Sequence, residues 1–147
     1  CIRDRVWEAR RMIIDSLNHE RPVNHMEDGV VPRAEIHRLL KGMKEISQEH
    51  GVRIVSFGHA GDGNVHVNVL KDDLGDGRWD ALVPRVREEI YRLALALGGT
   101  ITGEHGVGAT RRQYLPMALD EAQIELMRRI RAAFDPNNIL NPNKIFP

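Results

Sequence analysis

Apolar residues recur at helical spacing in four stretches of this chain, and between the second and third the period drops to two. Ile2, Val6, Ala9, Ile13 and Leu17 predict an amphipathic helix over residues 2–18. A polar stretch from Asn18 to Asn24 ends it. Glu27 to Val31 is a short extended candidate, and Pro32 suits the first position of the next helix, whose apolar face is Ile36, Leu39, Leu40, Met43 and Ile46. That helix should stop near Gly51. Arg53 to His59 and Val65 to Leu70 then read as strands. In the second, Val65, Val67 and Val69 alternate with His66, Asn68 and Leu70, so the valines should face the core and His66 and Asn68 the opposite side. Helical spacing returns over 79–97 with Leu82, Val86, Ile90, Leu93 and Leu97, stopped by Gly98-Gly99. Thr100 to Thr102 can form a last short strand. Asp120 caps a final helix carrying Ile124, Met127, Ile130 and Phe134, which ends at Asp135-Pro136.

From Glu27 to Thr102 the expected order is strand, helix, strand, strand, helix, strand. This is the α+β, ferredoxin-like βαββαβ arrangement: an antiparallel sheet with helices on one face, here extended by an N-terminal helix and C-terminal helices. The other sheet face is left free to cover a site. The chain's 147 residues make one domain able to bury an ordinary core, and no repeat is present.

Composition removes several classes of function. Acidic and basic residues balance at 21 each, so no overall basic field is available to hold nucleic acid or an anionic membrane surface. The arginines at 3, 5, 10 and 11, and at 128, 129 and 131, alternate with apolar positions and read as solvated helix faces. One cysteine cannot form an internal disulfide, which suits a reducing, cytoplasmic compartment. No apolar run approaches the roughly 18 residues of a membrane span. The chain starts at Cys1 and enters a helix at once, which favours a piece of a longer protein over a lipoprotein. Asp72 to Gly77 has the residue types of a calcium loop, but Val83 stands where the closing glutamate belongs, so it is read as a turn.

Candidate chemistry lies in two clusters, Gly58-His59-Ala60-Gly61-Asp62-Gly63-Asn64-Val65-His66-Val67-Asn68 and Gly103-Glu104-His105-Gly106-Val107-Gly108. With a turn centred on Gly61 to Asn64, Ala60 pairs with Val65, His59 lies across from His66, and Phe57 lies across from Asn68. Opposed residues share a face with Cβ atoms about 5 Å apart, which suits two imidazoles meeting one metal ion. Glu104 would add a carboxylate, and His105, beside it, a group able to accept a proton. Each cluster also has a structural reading, as a good hairpin closure and as a glycine-rich loop before a helix. His19, His25, His37 and His50 are expected to be solvated, and Trp7 and Trp79 to be packing residues.

These two clusters, with Phe134-Asp135-Pro136 and Ile139-Leu140-Asn141-Pro142-Asn143-Lys144, resemble the C-terminal domain of the FAD-linked oxidases. That group includes glycolate oxidases of the GlcD type, D-lactate dehydrogenases and D-2-hydroxyglutarate dehydrogenase. The resemblance runs from Trp7-Glu8-Ala9-Arg10 to the end of the chain. It implies that residues 1–147 form a substrate- and metal-binding cap domain of a larger flavoenzyme, whose FAD-binding domain lies N-terminal to this chain. It further implies that His59, His66 and Glu104 bind a divalent ion, zinc or manganese, and that His105 is the base. Asn68 and Arg10 are implied as substrate contacts, and the tail around Asn141 and Lys144 as the part that returns toward the flavin. The implied reaction oxidises a small D-2-hydroxy acid such as glycolate or D-lactate. A second distal carboxylate is less well supported, since His25 and Met26 stand where some members have a basic residue. An electron-acceptor subunit, which could also bring the protein to a membrane, is an implied further partner. Two other functions fit the residues alone: a metal-dependent hydrolase with a two-histidine, one-carboxylate site, and a non-catalytic binding module.

Overall fold

The structure is a computed structural model that describes all residues, 1–147. Its centre is a three-stranded antiparallel sheet made of β1 (Asn24–Val30), β2 (Arg53–His59) and β3 (Asn64–Leu70), in the order β1-β3-β2. Two long helices, α3 (Ile36–His50) and α4 (Asp76–Ala96), pack on one face. The valines decide which face. Val65, Val67 and Val69 are at most 4% exposed and join Leu39 and Met43 of α3 and Val83, Val86 and Ile90 of α4 in a single core. At a typical 1.5–3 kcal/mol for each fully buried aliphatic side chain, this layer is the main source of stability.

The expected α+β architecture with helices on one face is present, with four adjustments. First, the last strand of the ferredoxin-like order is reduced to one bridge, Thr100 to Val30 on the β1 edge. Asp28, one pair further along β1, draws the chain after Ile101 into a turn over the sheet instead. Second, the N-terminal helix breaks at Met12 into α1 (Ile2–Arg11) and α2 (Ile13–Glu20), neither of which has a fully buried residue. Without a packed face, nothing compels one continuous helix. Third, Pro32 precedes a 3₁₀ turn, Arg33–Glu35, that leads into α3, and α4 starts at Asp76, before Trp79. Fourth, Trp7 is not a packing residue: it is 49% exposed, with Arg10 over its ring, whereas Trp79 is buried as expected.

The hairpin register also differs from the expectation. His59 pairs with Asn64, Phe57 with His66 and Val55 with Asn68. The turn therefore occupies Ala60–Gly63, two residues away from the register in which His59 faces His66. Gly63 explains this. It has φ +77°, and a Cβ there would lie 1.9 Å from the Val31 carbonyl oxygen. Only glycine can hold that left-handed corner against the strand exit. The backbone bond from Val31 N–H to Gly63 C=O then ties the turn to the end of β1. Because the shift is by an even number of residues, every side chain keeps its face.

After the sheet, a short helix α5 (Leu115–Ala118) leads to α6 (Glu121–Phe134). Asp120 and Gln123 form a reciprocal capping box at its start. Asp135 ends it by accepting from the N–H groups of Ile139 and Leu140, both at 2.9 Å. This is the physical role of the aspartate in the Phe134-Asp135-Pro136 motif. No helix is long and apolar enough to cross a membrane.

Candidate functional site

Asp28 of β1, Phe57 and His59 of β2, and Asn64, His66 and Asn68 of β3 share the sheet face away from α3 and α4, as the register requires. His66 is the hub. Its Nε2 lies 3.1 Å from Glu104 Oε1, and His59 Nε2 lies 3.5 Å from the same oxygen. Asn64 Nδ2 donates to that oxygen as well, at 3.0 Å. The His66 ring stacks on His105, with centroids 5.0 Å apart and planes 11° from parallel, and meets the edge of His59 at 5.4 Å. Asp28, His66, Glu104 and His105 form a group whose ligand atoms all lie within 4.8 Å of one another and could hold a metal ion.

The loop carrying Glu104 and His105 is held from below. Asp28 Oδ2 accepts from Thr102 Oγ1 and from the backbone N–H groups of Gly103, Glu104 and His105, at 2.8–2.9 Å. Burial works to raise the pKa of this carboxyl. The His105 and Glu104 N–H groups, the Thr102 hydroxyl and the Gly103 N–H outweigh it and bring the value down to about 2. His66 is shifted down, first by its burial and next by the neighbouring His105. The ring is thus biased toward the neutral form that a metal or a proton donor requires.

A second network braces the loop from the helix side. Glu27 is 2% exposed and accepts from Arg87 Nε at 2.5 Å, from Arg111 Nε at 3.2 Å and from the Tyr91 hydroxyl. Arg111 also donates to the carbonyls of Gly106 and Met26, both at 3.1 Å, so one guanidinium links β1, α4 and the loop. The Tyr91 hydroxyl is pushed well above its usual range by burial and then by the Glu27 charge. It therefore stays a neutral donor.

Beside the cluster an open cleft of about 350 Å³ is lined by His59, Asp62, Asn64, Thr102, Gly103 and Glu104. Its size is at the lower end of small-molecule sites. The family model for the C-terminal domain of FAD linked oxidases matches residues 2–145. This chain belongs to that family. The glycolate oxidase subunit GlcD of Bacillus subtilis is 43% identical over 139 residues, covering 95% of this chain and 29% of that protein. A D-lactate dehydrogenase of Archaeoglobus fulgidus is 41% identical over 97% of this chain and 30% of its own length. A D-2-hydroxyglutarate dehydrogenase of Stutzerimonas stutzeri is 38% identical over 96% of this chain and 31% of its own length. The chain thus spans about three tenths of the length of these relatives.

Of the residues singled out from the sequence, His59, His66, Glu104 and His105 come together. Arg10 joins them from α1, its guanidinium 3.2 Å from His59 Nδ1. Asn68 lies one pair further along the same strand face, 2% exposed, with its Nδ2 unpartnered. His66 and Asn68 are both buried, contrary to the expectation that a buried role is unnatural on that face, because β3 is the central strand and is covered on both sides. Asn141 and Lys144 line a different, mainly apolar cleft of about 370 Å³ with Met127, Ile130, Leu140 and Phe146. The tail is nonetheless tied to the loop after His105, through Ile145 N–H to Gly108 C=O at 2.7 Å and Arg112 to the Asn143 carbonyl at 3.2 Å. His50 is not solvated as expected: its Nε2 lies 2.8 Å from Glu89, bridging α3 and α4. His25 stacks on Trp79.

Sequence reasoning missed Asp28, Asn64, Glu27, Tyr91 and Arg111. A signal existed for the first pair of acids. Two adjacent carboxylates inside a strand are unfavourable unless each has a partner, and Glu27-Asp28 sends one to each sheet face. Arg111 carries no such signal, because its partners are spread over 85 positions of sequence.

Proposed function

We propose that this chain is the substrate- and metal-binding part of a flavin-dependent dehydrogenase that oxidises a D-2-hydroxy acid to the 2-oxo acid. The observation that carries the reading is the convergence of His59 Nε2 and His66 Nε2 on Glu104 Oε1, with His105 stacked alongside. The donor set fits a divalent ion of the zinc or manganese type, with two imidazole nitrogens and one carboxylate. His59, His66 and Glu104 would hold it. Asp28 belongs to the compact group of ligand atoms but is a poorer ligand than His59, since its Oδ2 already accepts four hydrogen bonds.

When bound, the ion lowers the pKa of a substrate hydroxyl and the flavin takes up the two electrons of the oxidation. This chain's own residues do the rest. His105 receives the hydroxyl proton. Arg10 supplies a cation for the substrate carboxylate, and Asn68, with a free buried amide nitrogen, supplies a donor on the same face. Asn141 and Lys144 face the flavin-binding domain, which precedes this chain and is its main partner, with an electron-acceptor subunit as a second. The relatives named for glycolate, D-lactate and D-2-hydroxyglutarate share one chemical class of substrate, the 2-hydroxy acid. Glycolate or D-lactate fits best, because Met26 shares the site face with Asp28 and offers no cation to a second carboxylate.

Metal analysis of the purified chain tests the reading. We expect close to one equivalent of zinc or manganese, retained in His50→Ala and lost in His66→Ala. A wild-type chain that stays metal-free after loading overturns the metal site. Hydrolytic turnover without flavin would favour the hydrolase instead.

A further inference from the structure

We propose that Asp28 is the positioning residue of this site, holding the Glu104–His105 turn with one carboxylate oxygen and setting the tautomer of His66 with the other. The second half of this assignment rests on the metal site proposed for His59, His66 and Glu104.

Asp28 is wholly buried on β1, directly across the strand pair from His66. Its Oδ2 gathers three successive backbone N–H groups, those of Gly103, Glu104 and His105, and the Thr102 hydroxyl. Three consecutive amides pointing at one oxygen form a concave anion-binding nest, and here the anion is the protein's own side chain. Thr102 Oγ1 in turn accepts from Gly106 N–H at 2.9 Å, which closes the turn over residues 102–106. Glu104 and His105 therefore project from a backbone pinned to the strand that faces His66. Their side chains meet His66 from a fixed origin, one at Nε2 and one across the ring face.

Asp28 Oδ1 takes no part in that nest. It is buried without a hydrogen-bond partner, and so is His66 Nδ1, which lies 3.8 Å away. Each is the titratable atom nearest the other, and a proton on Nδ1 aimed at Oδ1 satisfies both with a small closing movement. Glu104, half exposed and already accepting from Asn64, has other donors within reach. With Nδ1 protonated, Nε2 presents its lone pair toward Glu104 Oε1, an arrangement of two electron-pair donors that a shared cation resolves. Histidine ligands of metals commonly donate their second N–H to a carboxylate, and loss of that carboxylate typically weakens the metal by about 10–100-fold.

The test uses the full chain as wild type, Asp28→Asn and Asp28→Ala. Asparagine keeps one acceptor oxygen for the nest but offers an NH₂ to Nδ1, which favours the opposite tautomer. We expect amide exchange at residues 103–105 to speed up at least tenfold in Asp28→Ala and to change little in Asp28→Asn. Zinc affinity, measured against a competing chelator, should fall by about 10–100-fold in both variants. In ¹⁵N spectra of the metal-free chain at alkaline pH, His66 should carry its proton on Nδ1 in the wild type and on Nε2 in Asp28→Asn. Unchanged zinc affinity in Asp28→Asn, or the same tautomer in both proteins, overturns the tautomer assignment. Unchanged exchange in a folded Asp28→Ala overturns the clasp. A wild type with no zinc affinity defeats the metal reading alone, and the exchange and tautomer measurements still decide the role of Asp28.

Discussion

Replacing Glu27 by glutamine puts a large part of the stability of the loop support at stake. The substitution preserves shape but removes the charge that two guanidiniums share. The Arg87 and Arg111 side chains are only 12% and 10% exposed, so water cannot replace the lost partner. The amide also turns an NH₂ toward groups that are themselves donors, leaving the Tyr91 hydroxyl or one guanidinium without an acceptor. Removing one partner of a buried ion pair costs about 3–5 kcal/mol. The lower end, about 3 kcal/mol, applies here because the side chain keeps one acceptor oxygen. For a chain of this length that corresponds to a fall in Tm of about 10 °C. Urea unfolding followed by circular dichroism at pH 7, with chelator present to remove any metal contribution, reads it directly. Glu20→Gln is the control, since Glu20 pairs with Arg53 at 2.9 Å but in solvent, and its midpoint should not shift resolvably. If Glu27→Gln loses no more stability than Glu20→Gln, buried charge does not brace the loop.

Two further outcomes follow from the same structure. The Asp28 carboxyl, held down to about 2 from its ordinary 3.8, contributes stability that is full above the unfolded value and is lost as the pH falls from about 4 toward 2. The stability difference between wild type and Asp28→Asn should therefore shrink by about 2 kcal/mol over that window, and a difference flat with pH in urea titrations would refute the assignment. Gly63→Ala should destabilise by more than about 1 kcal/mol, because both its φ of +77° and the Val31 carbonyl oppose a Cβ. A thermal melt unchanged within error would show that the turn can relax.

Most of the fold is legible in the linear pattern, and the reason is periodicity. The valines of β3 and the apolar faces of α3 and α4 repeat at 2.0 and near 3.6 residues, and each repeat specifies which side is buried. The fourth strand was less legible. Thr100 to Thr102 has strand residues, yet Asp28 of β1 captures the following N–H groups and diverts the chain after a single bridge. The register slip of the hairpin has the same kind of cause, a contact between the Gly63 turn and the Val31 backbone that no local pattern encodes. The site shows both cases. His59 and His66 are recognisable because a glycine-rich turn and strand alternation bring them to one face. Asn141 and Lys144 are recognisable as a motif, but they line a separate cleft joined to the site loop through the chain's tail.

The sequence by itself determined the helix and strand segments, the identity of the buried valine face, and the residue types from which a His59, His66, Glu104 and His105 cluster can be made. These are local properties, set by side-chain direction along one element. The tertiary structure alone decided how the cluster is held: Asp28 under the turn, Arg111 between Glu27 and the Gly106 carbonyl, and Asn64 on Glu104. Apart from the local Gly106 contact, those partners lie 40 to 84 residues apart. Hydrogen bonds over such separations depend on the packed arrangement of β1, β3 and α4, and so only the folded chain defines them.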